Sequence, residues 1–216
     1  MMHRLLPVLA ALLLAAPALA EEPADLREFR VGEPVEALPT SGYIDLACAD
    51  APATKLAIWG EYEKCPRNAL GLHAVSFRYD PATNPLARLN DSYEGTRVAG
   101  QPALIALLIG DDKRLDGIHI QTDPHTRLYL RKKAFLFGLQ ARHHYGDDGW
   151  TCHDKPPGAG EEPVGGVYVN EHCEKTTATR HLIVERHLYA HPDQPLTNFV
   201  GESDVLILLP KELLAK

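Results

Sequence analysis

The residues best suited to chemistry crowd between positions 143 and 173. They are His143, His144, Asp147, Asp148, His153, Asp154, Glu161, Glu162, Glu171 and His172. Carboxylates gathered this closely repel one another unless a cation lies between them. Hard cations such as calcium take six or more oxygens, whereas imidazoles suit zinc, copper or nickel. The mixed donors leave both classes open, a calcium-like ion or zinc/copper. A bridge between Cys152 and Cys173 would carry the Asp147–Asp154 region towards Glu171. The candidate metal ligands are therefore His144, Asp147, Asp148, His153, Glu171 and His172. The competing reading of the same stretch is a solvated acidic loop with surface histidines.

Other histidines are weaker candidates. His181 and His187 share a face if residues 181–187 form one strand, because side chains repeat every two residues. They then lie about 20 Å apart, too far for one ion. These two and His191 read as surface or edge residues. His119 points away from Ile118 and Ile120, towards solvent or a groove. Asp111, Asp112 and Asp116 belong to a turn, where Asp is common without any ligand. Trp59, Tyr62, Trp150 and Tyr168 flank the cysteines and read as packing on disulfides.

Signatures of known reactions are missing. None of the serines at 41, 76, 92 and 203 lies in a GxSxG elbow. There is no HExxH helix, EF-hand loop or glycine-rich phosphate cradle. The sequence leans away from an enzyme, and a metal-dependent hydrolase is the remaining catalytic alternative.

Export sets the chemistry of the cysteines. Met1–Arg4 is a short positive start, Leu5–Ala20 is continuously apolar, and Ala18-Leu19-Ala20 offers small residues for cleavage near Ala20. This is the pattern of a signal peptide over residues 1–20, releasing a periplasmic or secreted chain, 21–216. The expected mature chain has no second apolar run of spanning length; its longest is Ala103–Ile109. It keeps 21 Lys and Arg against 29 acids, a net charge near −8, which disfavours nucleic acid and anionic lipid as partners. Another periplasmic protein is the natural partner class. Cys48, Cys65, Cys152 and Cys173 are an even set in an exported chain, so two disulfides are expected. Proximity favours Cys48–Cys65 and Cys152–Cys173. The absence of a CxxC spacing disfavours both a thiolate metal site and a redox-active pair.

These residues must be positioned by a strand-rich chain. Glu33–Leu38 predicts one helical turn behind Pro34. Tyr43–Cys48, Lys55–Tyr62 and Leu72–Tyr79 predict strands, the last by its alternation. Asp80–Gly95 predicts a loop between the two cysteine-bearing halves, which meet near 80–95. Val98–Ile109 and Leu115–Thr122 predict a hairpin across Gly110–Arg114. His125–Tyr145 predicts a helix capped by Asp123 and begun by Pro124, although Phe135, Phe137, Leu139 and Ala141 also alternate like a strand. Gly149–His153, Gly166–Glu174, His181–Tyr189 and Val205–Leu209 predict further strands. The expected architecture is a single α+β domain, mainly antiparallel sheet with one or two helices and two disulfides. The expected function is a non-enzymatic exported binding or accessory protein, with metal binding at the candidate ligands above, and a structural or protein-interaction domain is the alternative.

Overall fold

A computed structural model describes residues 24–83, 96–195 and 197–210. The predicted signal peptide lies outside the described residues, as does most of the predicted loop at 80–95. Among the described residues, ten strands run in chain order: β1 (Tyr43–Cys48), β2 (Ala51–Lys55), β3 (His73–Tyr79), β4 (Thr96–Val98), β5 (Gln101–Ile109), β6 (Leu115–Thr122), β7 (Thr151–Asp154), β8 (Val169–Thr176), β9 (His181–Tyr189) and β10 (Val200–Leu208). Two helices, α1 (Leu128–Arg131) and α2 (Phe135–His144), lie between β6 and β7. The molecule is thus dominated by its antiparallel sheet, with few helices, a more β-rich balance than the α+β expectation.

All strands join one sheet in the order β2-β1-β3-β5-β6-β10-β9-β8-β7, with β4 pairing on β5. The last strand, β10, is inserted between β6 and β9 and pairs with both. It joins the β5–β6 hairpin to the strands that carry the second disulfide. Across the 80–95 segment, β3 and β5 pair with each other.

One face of the sheet is covered. Alternate residues Val75, Phe77, Ile105, Leu107, Ile118, Ile120, Leu182, Val184, Val205 and Ile207 point to it and are almost fully buried. Over β1 and β3, the cover is the N-terminal arm: Phe29 is fully buried among Tyr43, Trp59, Phe77 and Tyr79, with ring centroids 5.3–6.5 Å apart. Burying such a side chain contributes about 1.5–3 kcal/mol. The arm is pinned by Asp25, whose carboxylate takes Arg180 Nε and Nη2 at 2.6 and 2.8 Å and the Val31 N–H at 2.7 Å. Over β9 and β10, the cover is α2, which sets Phe137, Gly138 and Ala141 against the strands.

Three expected elements are rearranged. Residues 55–62 are not a strand; β2 ends at Lys55 and a 3-10 turn spans Trp59–Lys64, burying Trp59 and Tyr62. Asp123 caps no helix. Its Oδ1 accepts the His125 N–H at 2.8 Å in a local turn, and helix begins only at Leu128. The helix is then interrupted before Phe135. The buried Ser203 hydroxyl accepts from the Gly138 N–H at 3.1 Å and donates to the Ala134 carbonyl at 2.9 Å. It replaces the i→i−4 bond those two groups would make in a continuous helix. The expected helical turn near Glu33–Leu38 is a 3-10 turn at Val35–Ala37.

The disulfides are Cys48–Cys65 and Cys152–Cys173, the pairing favoured by proximity. Each closes a loop of 17 or 21 residues, worth about 3 kcal/mol in the chain-entropy description.

Candidate functional site

The second face of the sheet is open over β6–β10. Register fixes which side chains share it. His153 on β7 stands opposite His172 on β8, which stands opposite Glu185 on β9, which stands opposite Asp204 on β10. One step along, Glu174 and Thr176 on β8 flank His181 and Ile183 on β9. His187 and Glu202 pair further up, and His119 on β6 faces Leu206. Across the strands two imidazoles are therefore followed by two carboxylates, and along β8 and β9 an imidazole neighbours a carboxylate on the same face.

Contacts follow this pattern. Both ring nitrogens of His172 meet carboxylates: Nδ1 faces Glu185, and Nε2 lies 2.7 Å from Glu174 Oε1. Since ionised carboxylates only accept, this pairing favours the imidazolium form, in which both ring N–H groups donate. The Glu185 and Glu174 hydrogen bonds push the His172 pKa above its ordinary value, and the His172 bond pulls Glu174 below its own. His181 Nε2 lies 4.0 Å from Glu174 Oε2, with its Nδ1 held at 2.9 Å by Thr176 Oγ1. His187 Nε2 is 4.0 Å from Glu185 Oε2, and His119 Nε2 is 2.7 Å from Asp204 Oδ1. At the sheet edge, Thr151, His153, His172, Glu174 and Thr176 line a shallow recess of about 410 Å³ with Gly149 and Lys175.

The structure divides the six metal-ligand candidates into three groups. His153 and His172 share the open face. His144 is exposed at the end of α2, its ring edge-on to Tyr145, and Asp147 and Asp148 are exposed in the turn that follows. Asp147 pairs with His143 at 3.0 Å. Glu171 points to the covered face, where its Oε2 accepts Arg186 Nε at 2.6 Å and Arg142 Nη1 at 3.0 Å. Strand alternation separates Glu171 from His172, so the Cys152–Cys173 bridge gathers Glu171 with the sulfurs rather than with the imidazoles. Cys152, Glu171 and Cys173 are the only three potential ligand groups within 4.8 Å of one another among the described residues. With both sulfurs joined and Glu171 held by two guanidiniums, that trio is not a metal site.

Sequence reasoning set aside His181 and passed over Glu174 and Glu185. The signal for them was the period-two pairing of acid and imidazole in His172–Glu174 and Glu185–His187. His181 and His187 are indeed separate along β9; the neighbour that joins His181 to the cluster comes from β8.

Comparison of the chain with protein-family models, curated proteins and solved structures finds no match. The site must therefore be read from its own chemistry. Among the described residues, no helix is long and apolar enough to cross a membrane.

Proposed function

We propose that this is an exported, non-enzymatic binding protein whose open sheet face takes a borderline divalent cation of the zinc or copper class. The observation that carries the reading is the cross-strand pair His153–His172, with Glu174 one step along the same face and His181 4.0 Å beyond it. Opposed residues on neighbouring strands have Cβ atoms about 4.5–5.5 Å apart, within the span of two imidazoles on one ion. A cation would take the place of the proton between His172 Nε2 and Glu174 Oε1, and the His153 and His181 rings would have to turn in, since the ligand atoms do not all stand within 4.8 Å of one another. Two or three nitrogens with one carboxylate suit zinc or copper better than calcium.

The test is calorimetric titration of the purified protein with zinc and with copper, alongside His153→Ala, Glu174→Gln and, as a control, Asp147→Ala. Wild type and the control bind one equivalent at micromolar concentration or better, and the first two variants lose at least tenfold. Equal affinity in all four, or no binding by wild type, rejects the site.

A second reading rests on β7. It ends the sheet, all four of its residues are exposed, and its outer edge has no strand partner among the described residues. Such an edge accepts a strand from another protein. The opposite edge strand, β2, carries Pro52, which blunts strand addition there. On this reading the protein is an accessory or interaction domain for another periplasmic protein, and capture by that protein fails when β7 is substituted with proline at Thr151.

A further inference from the structure

The two disulfides occupy opposite environments. Cys48 and Cys65 are buried in the main core, beside Trp59 and Tyr62. Cys152 lies on the exposed edge strand, and only its partner Cys173 is fully buried. Arg142 on α2 donates Nη1 to Cys173 Sγ at 3.1 Å and to Glu171 Oε2 at 3.0 Å. Arg186 also binds Glu171. Two guanidiniums thus face one carboxylate beside this sulfur, leaving one positive charge in excess. Arg142 Nε is buried without a hydrogen-bond partner, so the guanidinium has donor capacity to spare.

We propose that Cys152–Cys173 is a thiol-exchange site, opened by an external thiol at Cys152 while Cys48–Cys65 stays closed. The incoming thiolate attacks Cys152 Sγ and bonds to it. The Cys152–Cys173 bond breaks, and its electron pair leaves on Cys173 Sγ as a thiolate beside Arg142. A second external thiolate then attacks the external sulfur of the mixed disulfide, releasing the external disulfide and Cys152 thiolate. Two external thiols are oxidised, the protein bridge is reduced by two electrons, and the protons of those thiols end on the cysteines at equilibrium. Direction is set by access and by the leaving group: the reachable sulfur is attacked, and a guanidinium beside the departing one stabilises it. The absence of a CxxC spacing does not bear on this, because the sulfurs are brought together across two strands rather than along one turn. The inference is independent of a cation on the open face, since the sulfurs lie on the other side of the sheet.

The experiment treats the intact protein with reduced glutathione under native conditions, quenches with an alkylating reagent at intervals and maps each cysteine by peptide mass. Cys152 and Cys173 are expected to become alkylated about tenfold or more faster than Cys48 and Cys65, with any glutathione adduct on Cys152. Arg142→Gln should slow the opening roughly tenfold while the circular dichroism spectrum is kept, and Arg142→Lys should restore most of the rate. Opening of both bridges together, an adduct on Cys173, or an unchanged rate in a folded Arg142→Gln protein overturns the proposal. Should Arg142→Gln not fold, the order of opening and the adduct position in the wild-type protein decide it alone.

Discussion

Replacing Glu171 by alanine removes the acceptor that two guanidiniums share. Its Oε2 takes Arg186 Nε at 2.6 Å and Arg142 Nη1 at 3.0 Å. Hydrogen bonds to charged groups contribute about 1.5–3 kcal/mol each, and breaking a buried pair by removing one partner costs roughly 3–5 kcal/mol. Arg186 has a side chain only 10% exposed and cannot reach water without leaving its place under α2. Arg142 is 26% exposed and can turn outward, so the lower end applies, about 3 kcal/mol. For a chain of this size that corresponds to a melting temperature lower by roughly 6–12 °C. Glu171→Gln, which keeps an acceptor of the same shape, should lose about half as much. The measurement is calorimetric unfolding at pH 7, with zinc titration of each folded variant at low temperature. Zinc affinity should be unchanged, because Glu171 faces the helix and the imidazoles face away. A melting temperature within about 2 °C of wild type, or loss of zinc binding with stability intact, would refute the reasoning and return Glu171 to the list of ligands.

Two further outcomes follow from close packing and from a buried acid. A Cβ on Gly138 would stand 2.5 Å from Arg186 Cγ and 2.9 Å from Val184 Cγ1. Because Arg186 is tied to Glu171, Gly138→Ala should lower unfolding stability by about 1–3 kcal/mol in urea denaturation, despite alanine's better helix propensity. Asp116 is packed against Gly110, and burial, with repulsion from Asp112, raises its pKa to about 6. The folded state therefore holds a proton on Asp116 over a range, from its unfolded pKa near 3.8 up to about 6, in which the unfolded chain has lost it. Stability linked to this group is lost as pH rises through 6 and is regained on acidification. Asp116→Asn should stabilise by on the order of 1–2 kcal/mol at pH 7 and by almost nothing at pH 4, as read from urea curves at the two values. An equal effect at both pH values would show that the carboxylate is not the cause.

Local pattern determined a good deal of this protein. Alternation placed β3 close to its observed limits, the apolar runs around Gly110–Arg114 marked the β5–β6 hairpin, and the strand read at His181–Tyr189 is β9. Short separation in sequence marked both disulfides, since nearby cysteines on adjoining segments meet most readily. These features depend on neighbours along the chain, and the sequence displays such neighbours directly. Alternation also divides each strand into two sides, so His172 and Glu171 had to part. It does not say which side a helix will cover; packing of α2 on β9 and β10 decided that, burying Glu171 with Arg142 and Arg186 and leaving His153 and His172 in the open. The break before α2 depends on a hydroxyl from Ser203, 65 residues beyond the Gly138 amide it satisfies. The meeting of His181 with Glu174 depends on the β8–β9 register. Strand order, register and the covered face arise from long-range burial of apolar surface by the whole chain, and only the tertiary structure decides them.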